Sequence, residues 1–491
     1  MIDYNDKKWA KDSWIIDIDP DWPVLYLKTE SRDAAIDSIK AYFNEFADSG
    51  VTDLTICPFE QNSSVPTNSK HIDWLYEKST WTEENGKPVD YSRFGGIYKV
   101  FTEYGIDIFE EMYKTVKDLN IRPWLTLRMN DAHYGYDETA YLRSNLYYEA
   151  QRDGMMIGDH YGYYAHNYNF AYEKIRNAML EYIEELFLRY DVFGYQLDFI
   201  REIFCFDYVN ETCICDIMTD FIREVKDIVK KAEAKFGHPM KLSVRFGRSI
   251  EHNKVFGFDA ETWVKEGLVD VLVPSPRWEV TDSAVPVDEW KALAGENVAI
   301  WAGMESRMTN KSKVTADYVK GYSAGFYAKG ADGVYFDNFY QLGSDGPSIW
   351  GFERKDLSQG VRKYVVTYQD IVPEGLSGYK PLPLSLKNQK EELVVCMGEV
   401  KNTETVHLIL AMEDAYLSSP TVKLNGVGSS SRELIETPDG IDFNNGAATP
   451  LIDDAQFLLY TFRGVDATED IKISFENGIG KVVSVELSVE P

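Results

Sequence analysis

The chain has 491 residues, 44% of them hydrophobic, which is enough for a large core and too apolar for wholesale disorder. Its formal charge of −29 repels phosphate backbones and anionic lipid, so nucleic acid and membrane surfaces are poor partners. Five cysteines, an odd number, argue against a disulfide framework and fit a reducing compartment. Cys205, Cys213 and Cys215 lie close together, but with no CxxC pair and no obvious fourth ligand they read as ordinary thiols rather than a zinc site. The polar stretch Met1 to Trp14 lacks the apolar segment of a secretory signal, and no apolar run of roughly 18 residues occurs. A cytoplasmic protein is the expectation.

In chain order, apolar strand-like runs alternate with helical ones. Strand one is Ser13–Ile18. Ser31–Ser49 has helical spacing (Ile36, Ile39, Phe43, Phe46) and stops at Gly50, a natural cap. Val51–Cys57 is strand two, Ile106–Leu119 a helix and Ile121–Leu127 strand three. Ala171–Tyr190 is a helix, and Phe193–Phe199 (FGYQLDF) is strand four. The rhythm repeats with helix Asp216–Phe236, strand Lys241–Phe246, helix Ala260–Glu266 and strand Val269–Val273. It closes with helix Asp288–Leu293, strand Val298–Ala302, helix Asp317–Lys329 and strand Gly333–Phe336. Eight such alternations imply parallel pairing through right-handed crossovers, and closure after about 340 residues favours a (β/α)8 TIM barrel over an open sheet.

Two connections exceed the usual 2–6 residues of a βα loop. One runs from about Pro58 to Gly105, the other from about Arg128 to Phe170. Both leave carboxyl-terminal strand ends, where barrel enzymes build their sites. The second is dense in aromatic residues and histidine: some pack the loop onto the rim, and the rest are expected to wall a cleft. Beyond Gly375 short alternating runs separated by turns indicate an antiparallel β-sandwich. The expected division is a barrel over 1–373 and a sandwich over 374–491.

Polar residues at strand ends carry the chemistry, because charge inside a barrel is costly unless paired or used. Strand three ends in Arg128, Asn130 and Asp131, with His133 beyond. Strand four ends in Asp198, then Arg201 and Glu202. Strand five carries Arg245, strand six runs into Trp278 and Glu279, strand seven carries Trp301 and Glu305, and strand eight Asp337 and Asn338. Hydrolysing an acetal needs an acid for the leaving oxygen and a carboxylate to attack or to activate water. Asp198 is expected as nucleophile or base and Glu305, across the mouth, as acid; Glu202, Glu279 and Asp337 are reserves. Arg128 and Arg245 suit holding Asp198 ionised, and equally suit a structural ion pair. Asn130 and His133 suit sugar hydroxyls, Trp278 and Trp301 stacking. Asp17 and Asp19 read either as site residues or as loop caps. No GxSxG elbow, Walker loop, HExxH or strand–GxGxxG–helix is present, so no cofactor is expected. A metal site from Asp198, Asp337 and His133 is the weaker alternative.

RMNDAH at 128–133, RYDVFGYQLDFIRE at 189–202, GFDAETWVKEGLVDVLVPS at 257–275 and GADGVYFDNF at 330–339 resemble an uncharacterised bacterial family of glycoside-hydrolase-like TIM-barrel proteins. The resemblance spans about residues 13–340. It implies a barrel with a trailing sandwich, a role on glycans, and site positions at Arg128, Asn130, Asp131, His133, Asp198, Arg201 and Arg245. Tyr195-Gln196 stands where a smaller residue and then an acid is usual, and Asp337-Asn338 where an apolar residue precedes Asn. The reading is a glycoside hydrolase acting on an oligosaccharide or glycoside. A silent carbohydrate-binding barrel and a metal-dependent lyase or aldolase-type barrel are its rivals.

Overall fold

The computed structural model describes residues 2–19, 21–58, 65, 67–74, 92–131, 143–277, 280, 282–306, 315–339, 357–366, 372, 376–438 and 455–491. Eight strands close into a barrel in sequence order: β1 (Ser13–Ile18), β2 (Asp53–Ile56), β3 (Arg122–Arg128), β4 (Gly194–Asp198), β5 (Lys241–Gly247), β6 (Val271–Ser275), β7 (Ala299–Glu305) and β8 (Gly333–Asp337). Almost every barrel-strand residue is buried, because one face packs the interior and the other the helices. The helices are α1 (Asp21–Leu25), α2 (Arg32–Asn44), α3 (Ser92–Tyr104), α4 (Ile108–Asp118), α5 (Asn145–Arg152), α6 (Glu173–Arg189), α7 (Ile214–Phe236), α8 (Ile250–Val255), α9 (Ala260–Lys265), α10 (Val287–Ala294) and α11 (Ala316–Ala328). Among the described residues no helix is long and apolar enough to cross a membrane.

Side-chain caps start several of these helices: Ser31 accepts from Ala34 N, Asp107 from Phe109 N and Glu110 N, and Ser249 from His252 N. Helix α2 ends before the expected Ser49. From Glu45 onward the backbone switches to i→i+3 bonds (Glu45 N to Tyr42 O, Phe46 N to Phe43 O, Ala47 N to Asn44 O), and Asp48 and Gly50 both turn left-handed. The apolar spacing persists through this tighter turn, so periodicity alone overruns the helix.

The alternation of β4 can be read from its neighbours. Tyr195 stacks on Phe187 of α6 at 3.6 Å and donates its hydroxyl to the Phe187 carbonyl, so it faces the helix layer. Gly194, Gln196 and Asp198 therefore face the barrel interior. Three layers follow from the pairing of β3, β4 and β5: Trp124–Gly194–Lys241, Thr126–Gln196–Ser243 and Arg128–Asp198–Arg245. In the first, a Cβ on Gly194 would lie 2.4 Å from the Trp124 ring, so only glycine fits. In the second, Thr126 donates to Gln196 Oε1 at 3.0 Å and Gln196 donates to Ser243 at 3.3 Å. The third layer ends β3 and β4 in charge, with Arg245 two residues before the end of β5.

After the barrel come an antiparallel sheet ordered β10 (Leu384–Lys387), β18 (Ile479–Glu490), β12 (Thr405–Ser418), β16 (Gln456–Arg463) and β15 (Ser431–Ile435), with β9 (Arg362–Val366) also on β18, and a second ordered β11 (Glu391–Cys396), β17 (Asp470–Glu476), β13 (Thr421–Leu424) and β14 (Val427–Gly428). Their facing rows, among them Val406, Leu408 and Leu410 of β12 (Thr405–Ser418) and Ile471, Ile473 and Phe475 of β17 (Asp470–Glu476), make one apolar core. Strand β9 (Arg362–Val366) lies ahead of the expected boundary at 373/374 and pairs with β18 (Ile479–Glu490) along Val485–Val489. By compactness the chain divides into two units, Met1–Trp9 with Ile15–Val273 and Leu293–Val298, and Ala10–Trp14 with Pro274–Ala292 and Ala299–Pro491.

Within the second unit, α11 meets the sandwich through bare backbone. A Cβ on Gly321 would lie 2.2 Å from the Lys363 carbonyl, and one on Gly325 would lie 2.9 Å from that of Cys396. Tyr322 donates its hydroxyl to Val365 O and accepts from Val365 N. Elsewhere in this unit Asp332, buried ahead of β8, accepts from Lys11, from Lys291 at 2.7 Å and from Ile300 N at 2.9 Å.

Gly321→Ala should gain up to about 1 kcal/mol of helix propensity. Its methyl would still meet a carbonyl that cannot rotate away, so a net loss of about 1–3 kcal/mol is expected, read as a lower thermal midpoint. An unchanged midpoint would contradict this packing. Burial alone would push the Asp332 carboxyl up, but Lys11, Lys291 and the Ile300 N–H outweigh it and hold it below its ordinary value. The stability it adds is therefore complete above its unfolded value near about 3.9 and drains as pH falls through the folded one. Asp332→Asn should lower stability at neutral pH and soften its decline below about pH 4, as measured by urea unfolding across pH.

Candidate functional site

In the first unit the strand-end layer holds the central pair. Asp198 closes β4 and is buried; its Oδ2 accepts from Arg245 Nη1 at 2.8 Å and its Oδ1 from the Ile200 N–H at 2.9 Å. The backbone fixes both ends, since Phe199 N donates to Arg245 O and Met129 N to Asp198 O. A guanidinium and an amide N–H both favour the charged carboxylate, so Asp198 is built to stay an anion in a water-poor place.

Arg128, in register on the other side of Asp198, turns to different acids: its Nη2 lies 3.1 Å from Asp19 and its Nη1 3.6 Å from Asp131. Asp131 also has Arg201 Nε at 3.9 Å. Asp19 is thus a partner of the Arg128 guanidinium, while Asp17 accepts from Thr55 of the neighbouring strand. Glu202, four residues beyond Asp198 in sequence, is buried in the same unit, and Arg248, just past β5, is buried as well.

In the second unit, Glu305 ends β7 and Asp337, its register partner, ends β8; both are buried. Asn338 adopts a left-handed conformation, φ 51°, which asparagine tolerates, and donates Nδ2 to Glu305 Oε2 at 3.0 Å. The Asp337-Asn338 sequence therefore supplies a carboxylate at the strand end and a donor that fixes the neighbouring glutamate.

Two expectations are corrected. Trp301 stands opposite Gly333, the first residue of β8, four residues upstream of Glu305. It is completely buried, with its indole N–H on Ala10 O at 3.3 Å, so it fills the core near the amino-terminal end of β7 and offers no stacking face. Asn130 does not reach for sugar either: fully buried, it donates Nδ2 to Tyr168 O at 3.1 Å and Phe204 O at 3.0 Å, and accepts from Tyr168 N at 3.0 Å. It ties the long loop after β3 to the loop after β4. His133, Trp278 and Glu279 lie outside the described residues.

Sequence reasoning missed the partners that hold these loops. Asn167 also donates to Phe204 O, at 2.9 Å. Asp207 accepts from Asn210 at 2.6 Å, from Val209 N at 3.2 Å and from the Tyr161 hydroxyl at 3.3 Å, with His160 Nε2 at 3.4 Å. Burial pushes the Asp207 carboxyl up, but these neighbours outweigh it and hold it below its ordinary value. Asp207-x-x-Asn210 after a strand is a turn signal that points to such a role. Cys205 lies beside Asn130, and burial pushes its thiol up to about 12; Cys213 is exposed and Cys215 half-buried. Among the described residues no group of three His, Cys, Asp or Glu side chains gathers as metal ligands.

No family model and no curated protein matches the chain. Among solved structures it is similar to alpha-L-fucosidase isoenzyme 1 from Paenibacillus thiaminolyticus, at 11% identity over 93% of this chain and 97% of that one, TM-score 0.37. It is also similar to a Paenibacillus sp. cycloisomaltooligosaccharide glucanotransferase, at 10% identity over 98% of this chain and 58% of that one, TM-score 0.38. A third is a GH36 alpha-galactosidase from Geobacillus stearothermophilus, at 10% identity over 93% and 55%, TM-score 0.38. The chain spans little more than half the length of the last two. Likeness this distant leaves the functional reading to the site itself.

Arg245→Met should destabilise the protein by about 3–5 kcal/mol, because it strands a buried carboxylate. Adding Asp198→Asn should recover much of that loss. Additive losses in the double variant, measured by chemical unfolding, would mean that the pair does not act as one unit.

Proposed function

We propose that the protein is a glycoside hydrolase that cleaves a glycosidic bond in an oligosaccharide, with Asp198 as nucleophile or base and Glu305 as acid. The observation that carries the reading is Asp198 itself: an inward-facing, buried carboxylate at a carboxyl-terminal strand end, kept ionised by Arg245 and the Ile200 N–H. A group so held suits attack on an anomeric carbon or activation of water, and is unsuited to delivering a proton. Glu305, buried at the carboxyl-terminal end of β7 and held by the Asn338 amide, is the acid in this reading. Glu202, Glu279 and Asp337 are the reserve acids, and Arg128, Asp131, Arg201 and Asn338 the polar surroundings of the saccharide.

The same engagement of both Asp198 oxygens favours one rival, a carbohydrate-binding barrel in which the pair is only structural. Turnover separates the two. Asp198→Asn should cut hydrolysis of a panel of aryl glycosides by three or more orders of magnitude with the circular dichroism unchanged; near-normal rates would reject the assignment. Glu305→Gln should lose about 10²–10⁴-fold on substrates with poor leaving groups and far less on dinitrophenyl glycosides, which need no proton. The anomer first formed, read by NMR, distinguishes nucleophile from base.

A further inference from the structure

The loop between β3 and β4 closes on itself and carries an aromatic tip. Its two limbs pair at the base, with Ile157 N on Asn167 O at 3.1 Å and Asn169 N on Met155 O at 3.0 Å. Between them Asp159–His166 winds as a 3₁₀ turn broken at Gly162, φ 58° and ψ −117°. A Cβ on Gly162 would meet nothing within 4 Å, so the space beside the kink is open.

The tip is held from below. Tyr164 stacks on Phe204 of the β4 loop with centroids 4.5 Å apart and planes 21° from parallel, and Tyr161 lies 5.6 Å from the same ring. Tyr163 packs edge-on against Tyr164 at 5.3 Å and 81°, yet remains 43% exposed. His160 and the Tyr161 hydroxyl are anchored on Asp207, and Asn130 and Asn167 fasten the base to Phe204 O. Phe204 follows Glu202 by two residues and Asp198 by six, on the chain leaving β4.

We infer that Tyr163 is the stacking platform of a binding subsite for an uncharged saccharide, on the carboxyl-terminal side of β3 and β4. A sugar presents a weakly polar C–H face that matches an aromatic ring. A ring already ordered by its neighbours loses little freedom on binding. The protein's charge of −29 disfavours an anionic glycan. Describing this as an outer subsite of the substrate rests on the glycosidase reading; the stacking itself does not.

The test is migration through native gels cast with xyloglucan, galactomannan, arabinoxylan or pullulan. The protein should be retarded in at least one gel. Tyr163→Ala should weaken that binding about tenfold, the equivalent of about 1.4 kcal/mol, while Tyr163→Phe keeps it. Tyr172→Ala, an equally exposed tyrosine at the start of α6, should change nothing. Asp198→Asn should still be retarded while losing turnover. No retardation in any gel, or equal retardation of Tyr163→Ala, overturns the subsite. Retardation lost in Tyr163→Ala, with no glycoside cleaved by the unaltered protein, leaves the subsite standing and removes the glycosidase.

Discussion

Burying an ion in a protein interior costs several kcal/mol unless a partner offsets it, and the strand ends of this barrel are arranged around that constraint. Asp198 is tolerated inside because Arg245 comes up in register on the next strand and the chain leaving β4 turns the Ile200 N–H back onto it. The neutral Thr126–Gln196–Ser243 layer beneath continues the logic: Gln196 satisfies its neighbours through an amide that has no charge to desolvate. A single charged layer at the mouth is affordable in a way that two stacked ones would not be.

Position along the strand separates support from chemistry. Asp53 at the start of β2 accepts from Arg122 and from the Trp124 indole, and Asp332 just ahead of β8 is shared by two lysines and a backbone amide. These carboxylates sit at amino-terminal strand ends, the stabilising face of such barrels. Asp198, Glu305 and Asp337 sit at the opposite ends of their strands. Asp198 is buried and paired with a cation just as Asp53 and Asp332 are, so a buried ion pair alone does not mark a site.

All eight barrel strands were legible because burial on both faces leaves continuous apolar runs, and the interior-facing Asp198 stood out against them. Legibility failed where a residue's partner lies far away in sequence. Asn130 looks like a sugar ligand until Tyr168 and Phe204 are seen to consume its amide. Trp301 was assigned to the mouth because a strand's sequence does not mark which of its layers lies near the rim. Strand β15 (Ser431–Ile435) escaped notice because it is an edge strand whose residues are almost all exposed, so no alternation survives.

The seam between α11 and the sandwich has a consequence for how this protein can be divided. Gly321 and Gly325 give up side chains so that strand carbonyls can lie directly on the helix, and Tyr322 completes the hydrogen bonding of β9. A strand edge finished by a helix is no detachable appendage. Excising the β-rich part as a stand-alone module would leave a bald stripe on the helix and unsatisfied peptide groups on the strand, so recombination that shuffles such domains would have to carry the helix along.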